Sequence, residues 1–400
     1  MIENSVKKEM QPASKKEVDM KILYAVGFSL ENVSGRTIGT KNKYFQFSEM
    51  VSECRLICID DSFLYRTAKS VRLHHLIAKL VGLMQINIWI TLNCLFLRRY
   101  DTIIVRDIPL WLRSAFKLRR IHIVSEVHAD IGEEVALTKK GIWNIISPIY
   151  RYFIDRQIRD ADGVIYNHPS LESAMNRRIG VSTPTIFSYN GADTEGLQPT
   201  DRALVRRRMN IAPENIVLLF AGSVSVWHGV DKVLRCFAEL ARRREDVLLY
   251  IVGGHADGEL SKLQHAFAHL NRVVFTGPVP REQSVDYINA ADLCLMPVNN
   301  VRVSPGSPIK LYDYAACGKP IVTQKEVLGY SDVIEDHNIG ILVDFDDASS
   351  CARVLEELIE SDRLGPTWEA HIRSTAIRHL SWRGVVMRWI DYLEKLRERR

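Results

Sequence analysis

Lys310 and Asp313 stand three residues apart in Ser304-Pro-Gly-Ser-Pro-Ile-Lys-Leu-Tyr-Asp-Tyr-Ala-Ala-Cys-Gly-Lys-Pro-Ile-Val322. The segment reads as a Gly/Pro loop (Gly306, Ser307, Pro308) opening a short helix from Ile309, with Gly318 as its cap and a strand beginning at Pro320. On that helix Lys310 and Asp313 share a face. Amides at a helix start lack carbonyl partners and attract an anion. A lysine in the first turn opposes the helix dipole unless something anionic sits beside it. A nucleotide fits this arrangement, with phosphates at the helix tip and ribose hydroxyls on the carboxylate. The same residues also read as an ordinary capped helix carrying a surface Lys–Asp pair.

Such a loop must be held by a scaffold, and strand and helix signals alternate along most of the chain. Apolar strand runs fall at 20–26, 55–59, 102–105, 121–127, 163–166 and 185–189, with helical patterns between them. Around 199–210 the pattern breaks into an Arg-rich stretch (Arg202, Arg206, Arg207, Arg208) that reads as an irregular linker. Alternation restarts with strands at 216–221, 247–252, 273–276, 293–297 and 341–343. Near-continuous apolar strands alternating with helices predict parallel sheets covered on both faces. Two such series predict an α/β protein of two Rossmann-like, doubly wound domains facing a cleft, at 19–197 and 198–377.

Ligands of these sheets bind at the carboxyl ends of strands, which singles out five places. They are the Gly27–Gly39 loop with Gly35 and Arg36, the strand end Ser125-Glu-Val-His128, the Asn190 turn, the Gly222–Gly229 loop, and Ser304–Lys310. His128 gains weight from its place at a strand end, although a lone histidine is more often structural. Asn190-Gly-Ala-Asp193 has turn chemistry and reads equally as a plain domain-boundary turn. Ala221-Gly-Ser-Val-Ser-Val-Trp-His-Gly229 allows close backbone approach to a diphosphate but lacks dinucleotide GxGxxG spacing. No P-loop, zinc or GxSxG motif is present in the sequence.

Composition narrows the class. The 400 residues are 46% hydrophobic and 25% charged, ordinary for a globular protein. A formal charge of +5 is too small and dispersed to argue for nucleic acid. Seven scattered cysteines form no metal-ligand spacing and read as reduced core thiols of a cytosolic protein. Residues 1–18 lack the apolar core of a signal peptide. Leu80–Leu97 is apolar but short for a span and punctuated by Gln85, Asn87, Thr91 and Asn93, which predicts a buried amphipathic helix.

The order and spacing of several segments resemble family 4 retaining glycosyltransferases. They are Phe220–Asp231, Ile251-Val-Gly-Gly254, Val274-Phe-Thr-Gly277, Pro308–Val322, and in the first half Asp101–Arg106, Glu126-Val-His128 and Tyr189–Asp193. The resemblance implies the GT-B fold, a nucleotide-sugar in the C-terminal domain, an acceptor in the N-terminal one, and a C-terminal helix (about 378–400) returning to the first domain. It departs from the family where Ser223 and His228 replace a diphosphate-gripping Arg and Lys. The family's two glutamates fall at Pro305 and Asp313, so the first is missing and the second is shortened.

The implied activity is metal-independent retaining transfer from a nucleoside diphosphate sugar, by default a UDP-sugar, to a hydroxyl. Lys310, Asp313 and His128 are then the candidate catalytic groups, with His128 touching the donor sugar and Asp313 the ribose. Gly222, Ser223, His228, Gly229, Arg302 and the Gly306–Lys310 loop are the donor contacts. Gly27, Gly35, Arg36 and Asn190 lie on the acceptor side. A basic, partly apolar first half (Lys69, Arg72, Lys79, Arg98, Arg99, Arg113, Lys117, Arg119, Arg120, Lys139, Lys140) implies a lipid-linked or glycan acceptor at an anionic surface, the inner face of the cell membrane. Two alternatives remain at this point: a glycosyltransferase-like binding subunit without activity, and a sugar-nucleotide epimerase of the same fold.

Overall fold

The computed structural model describes residues 18–31, 34–71, 75–130, 143–254, 258–299, 304 and 306–399. The chain forms two compact units, one of residues 1–188 with 386–400 and one of residues 189–385.

The first unit contains a six-stranded sheet in the order β2-β1-β3-β4-β5-β6. Its strands are β1 (Val18–Val26), β2 (Val51–Cys58), β3 (Thr102–Arg106), β4 (His122–Val127), β5 (Gly163–Tyr166) and β6 (Thr185–Phe187). Every pairing is parallel. All of β3 and β4 is buried, which explains why their sequences run apolar rather than alternate. The strand order reverses between β1 and β3. Most of the last helix, Trp382–Glu398, belongs here: Trp389 packs on Phe47, and the Tyr392 hydroxyl accepts from the Val164 amide at 3.0 Å.

The second unit has the sheet order β12-β11-β10-β7-β8-β9, again all parallel. Its strands are β7 (Ile216–Ala221), β8 (Val247–Val252), β9 (Val273–Gly277), β10 (Leu293–Met296), β11 (Ile321–Gln324) and β12 (Gly340–Val343). This is the dinucleotide-fold order, and its reversal lies between β7 and β10.

Three sequence expectations meet a different structure. The Arg-rich stretch is not an irregular linker: Arg202–Arg208 is a helix capped by Asp201, and buried Arg206 bonds the Ala290 and Asn215 carbonyls and Asp292. Its guanidinium fills donor-poor loop carbonyls, which a reading of hydropathy alone does not foresee. Tyr189–Leu197 clusters with the second unit rather than the first, because Arg373 donates to the Leu197 and Thr194 carbonyls and Ala192 donates to Leu380.

The third concerns the helix His75–Thr91 and its π-helical extension Leu92–Phe96, which are buried on one side only. Ala78, Leu83, Ile86, Ile90 and Cys94 face the core, while Ile77, Leu80, Met84, Ile88, Leu92 and Phe96 are exposed. The amides that punctuate it serve the protein side: Gln85 accepts from Ser62 and Leu64, and Asn87 accepts from Trp111. By length and composition alone Ile77–Phe96 could cross a membrane.

Candidate functional site

In the second unit the chain reversal between β7 and β10 is where a ligand of this fold sits. Phe220, near the end of β7, is the hub. Its ring lies 4.0 Å from the Lys310 Nζ and 6.4 Å, edge-on, from the His228 ring. Gly222 follows with φ 142°, a conformation closed to L side chains, and a Cβ there would meet the Lys310 Cε at 3.2 Å. The backbone at Gly222 and the Lys310 ammonium are therefore neighbours. Ser223 and Ser225 hydroxyls lie 3.4 Å apart in the same loop, which passes through Val226–His228 and ends on Gly229.

The helix Ile309–Ala316 starts at this point. Tyr314 ties it to β7: its hydroxyl accepts from the Ala221 amide at 2.8 Å and donates to the Ala221 carbonyl at 3.3 Å. That clamp sits one turn below Lys310 and sets its distance from the Gly222 loop. Lys310 has no carboxylate partner among the described residues, and burial pushes its pKa down to about 7. A half-buried lysine left unpaired beside amides of a helix start is suited to one partner, an anion.

Asp313 does not pair with Lys310. Its two oxygens receive Arg281 Nη1 and Nη2, both at 3.0 Å. Burial raises the Asp313 pKa and Arg281 opposes that rise. A carboxylate in an Arg fork keeps lone pairs for further donors. Arg281 opens the helix Arg281–Ala290 and was missed in the sequence; the available signal was a cation in a first helical turn, against the dipole.

Ser307 and Asn190 turn out to be bound to each other. The Asn190 amide donates to Ser307 Oγ at 2.8 Å, its side chain to the Ser307 carbonyl, and Ser307 Oγ lies 3.1 Å from the Tyr312 hydroxyl. Asn190 thus belongs to the second unit and anchors the donor-side loop, correcting its assignment to the acceptor side. Gly306, with φ 76°, donates to Ser304 Oγ. Pro308 is the residue before the first turn and Ile309 opens it. Arg302 and Pro305 lie outside the described residues.

The first unit holds a buried polar cluster at the carboxyl ends of its central strands. Glu126 on β4 is contacted by Lys43 and His128 through Oε1 and by the Tyr24 hydroxyl through Oε2, at 2.5 Å for the last. Arg106, the last residue of β3, stands 3.9 Å away. Strand register brings this about, since Val105 opposes Ser125 and Arg106 therefore opposes Glu126. Despite burial, the Lys43 ammonium, the His128 ring and, behind them, the Arg106 guanidinium hold the Glu126 carboxyl well below its usual range. Burial lowers Lys43 to about 8.

His128 differs from expectation. Its Nδ1 is 3.0 Å from the Asn167 amide nitrogen, which can only donate, so Nδ1 accepts and the proton sits on Nε2 against Glu126. Burial and nearby Arg106 push its pKa down to about 3, leaving the ring neutral. Both ring nitrogens are engaged within the first unit, so the ring presents no free nitrogen to a sugar. Gly27 sits at the neighbouring strand end, donating to the Arg106 carbonyl, and Gly35 and Arg36 open the helix Gly35–Met50 behind its Ser34 cap.

Comparison with known proteins places this geometry. Residues 201–374 match the family model of glycosyl transferases group 1. Over these residues the chain resembles that family. A GDP-mannose-dependent alpha-(1-6)-phosphatidylinositol monomannoside mannosyltransferase of Mycolicibacterium smegmatis is 27% identical over 70% of this chain and 71% of its own length. A D-inositol 3-phosphate glycosyltransferase of Catenulispora acidiphila is 27% identical over 52% of this chain. The chain spans about half the length of that relative (50%) and of its Thermobifida fusca counterpart (55%).

Among solved structures, Anabaena HepE in complex with UDP-glucose superposes with a TM-score of 0.68 at 18% identity, covering 94% of this chain and 100% of that one. Sucrose-phosphate synthase of Thermosynechococcus elongatus gives 0.68 at 15% identity, over 94% and 99%. At these identities the likeness establishes the fold, two parallel-sheet α/β domains of the GT-B kind.

Proposed function

We propose that this protein transfers a sugar, with retention, from a nucleoside diphosphate sugar to a hydroxyl of a lipid-linked glycan or its precursor. The observation that carries the reading is Lys310, an ammonium with no carboxylate partner among the described residues, held by the Tyr314 clamp beside Gly222 at the sheet's reversal point. Negative charge builds on the diphosphate as the glycosidic bond breaks, and a preorganised cation with helix-start amides stabilises it without reorganisation. Lys310 and the amides of Ile309 and Lys310 take the diphosphate; His228, on the same Phe220 ring, is placed to add a contact. Asp313, held by Arg281, accepts from ribose hydroxyls. His128 works through Glu126 as a positioning residue rather than as a direct sugar ligand. A UDP-sugar is the donor we favour, supported by the UDP-glucose bound to the HepE fold neighbour.

The acceptor reading draws on the exposed stripe Ile77, Leu80, Met84, Ile88, Leu92 and Phe96 in the first unit, with Arg98 and Arg99 exposed at its end. Apolar side chains spaced three and four apart, with cations at the rim, suit insertion at the surface of an anionic bilayer. This supports a peripheral position at the inner face of the cell membrane. Flotation with liposomes tests it: binding should require anionic lipid and fade as salt rises. A protein that stays unbound at low salt and glycosylates a soluble acceptor efficiently would refute it.

One observation favours a second reading, a nucleotide-binding subunit without turnover: Ser223 and His228 stand where basic diphosphate ligands are expected. A panel of nucleotide-sugars separates the two. Slow release of nucleoside diphosphate from one donor supports the transferase; saturable binding with no turnover on any donor or acceptor supports the subunit.

A further inference from the structure

The reversal point of the first sheet, between β1 and β3, carries charge that the donor-side chemistry leaves unused. Arg106 ends β3 and is only 4% exposed. Its Nε makes no hydrogen bond among the described residues. Its nearest contacts through Nη1 are long, 3.5 Å to the Thr40 hydroxyl and 3.9 Å to Glu126. The Glu126 carboxylate is already taken by Lys43, His128 and Tyr24. With His128 neutral, two buried cations, Lys43 and Arg106, face one carboxylate. A buried guanidinium with an unsatisfied donor and no full counter-charge is costly, and the usual remedy is an anion.

The surroundings fit such an anion. The Arg106 guanidinium lies 5.1 Å from the centre of the Phe28 ring, and the Arg36 guanidinium 4.7 Å from the same ring. Phe28 belongs to the loop leaving β1, where sheets of this strand order bind their ligands. Arg36 is in the first turn of the helix Gly35–Met50, whose first turn holds no acidic residue. Among the described residues Arg36 makes one ion pair, with Asp107 at 3.8 Å.

We propose that Arg106, with Arg36 beside it on Phe28, forms an anion subsite for a phosphate ester carried by the acceptor near the hydroxyl that receives the sugar. Arginine suits this role because its planar fork matches phosphate oxygens two at a time. The proposal rests on the glycosyl-transfer reading for the word acceptor, but the site itself is tested without turnover. A failure here would therefore leave that reading standing.

The experiment is calorimetric titration of the full chain with inorganic phosphate at constant ionic strength, with UDP saturating the donor site. Saturable binding is expected, weakened at least tenfold by Arg106→Gln, several-fold by Arg36→Gln, and unaffected by Lys310→Ala. Loss of phosphate binding when UDP is added would overturn the proposal, since the anion would then belong to the donor site. Equal affinity in wild type, Arg106→Gln and Arg36→Gln would also overturn it. If Arg106→Gln fails to fold, Arg36→Gln carries the test, because that side chain is 43% exposed. Methyl phosphate and dodecyl phosphate in neutral detergent then assign the source: tighter binding of the dodecyl ester supports a lipid-borne phosphate, equal affinity a soluble one.

Discussion

Raising the pH from 7 to 9 should weaken nucleoside diphosphate binding by about 50-fold through Lys310. In the free protein burial beside Phe220 brings its pKa down to about 7, with no carboxylate partner among the described residues to restore it. A bound diphosphate favours the ammonium and raises that pKa. Below pH 7 both free protein and complex carry the proton, so affinity is flat. Above pH 7 the free protein has lost a proton that the complex retains, so binding takes one up. Affinity then falls at a slope approaching a decade per pH unit, ~2.3 kcal/mol from pH 7 to 9, while the complex stays protonated. The ligand's terminal phosphate, with a second pKa of about 6, adds little slope in this range. Calorimetry with UDP at pH 7, 8 and 9, in buffers of different ionisation enthalpy, should show proton uptake approaching one. Lys310→Arg stays charged throughout and should bind with a flat profile. A wild-type affinity unchanged from pH 7 to 9 with no proton uptake would refute the reasoning and remove Lys310 from the phosphate site.

Tyr314→Phe should leave the Ala221 amide unpaired, costing about 1–3 kcal/mol in urea unfolding, and should weaken UDP binding by loosening Lys310; intact UDP affinity would mean the clamp does not position the lysine. Arg281→Leu should destabilise the second unit by about 2–4 kcal/mol, because it leaves the Asp313 carboxylate buried and unpaired; Arg281→Leu combined with Asp313→Leu should recover much of that loss, and no recovery would count against the pair. Gly27→Ala should be among the most damaging single changes, since its Cβ would sit 2.0 Å from the Asp107 carbonyl oxygen; a melting temperature within a degree or two of wild type would show that the loop yields. Replacing Leu80, Met84 and Ile88 together by Ser should abolish liposome flotation with little change in stability, as all three are exposed; unchanged flotation would detach the stripe from the membrane.

The strand and helix alternation was legible because parallel strands buried on both faces must run apolar, as Ile103–Val105 and Leu218–Phe220 do. Strand ends were legible for the same reason, and they led to Gly222, His128 and Lys310. Partners across the sheet were not. Arg106 and Glu126 are twenty residues apart and meet only through the register of β3 with β4. Arg281 reaches Asp313 from a helix 32 positions upstream, which no local spacing records. Asn190 read as a turn because its sequence has turn chemistry, while its bond to Ser307 depends on tertiary packing. His128 is legible as a polar residue at a strand end, but its engagement with Glu126 and Asn167 depends on the neighbouring strands being in place.

The most direct test of the central claim is a mass-spectrometric screen of the purified chain with UDP-glucose, UDP-N-acetylglucosamine and GDP-mannose, with and without a lipid-linked acceptor. One donor should release its nucleoside diphosphate slowly alone and faster with acceptor, and Lys310→Ala should suppress both. Absence of binding to any nucleoside diphosphate, or turnover unchanged in Lys310→Ala, would contradict the account.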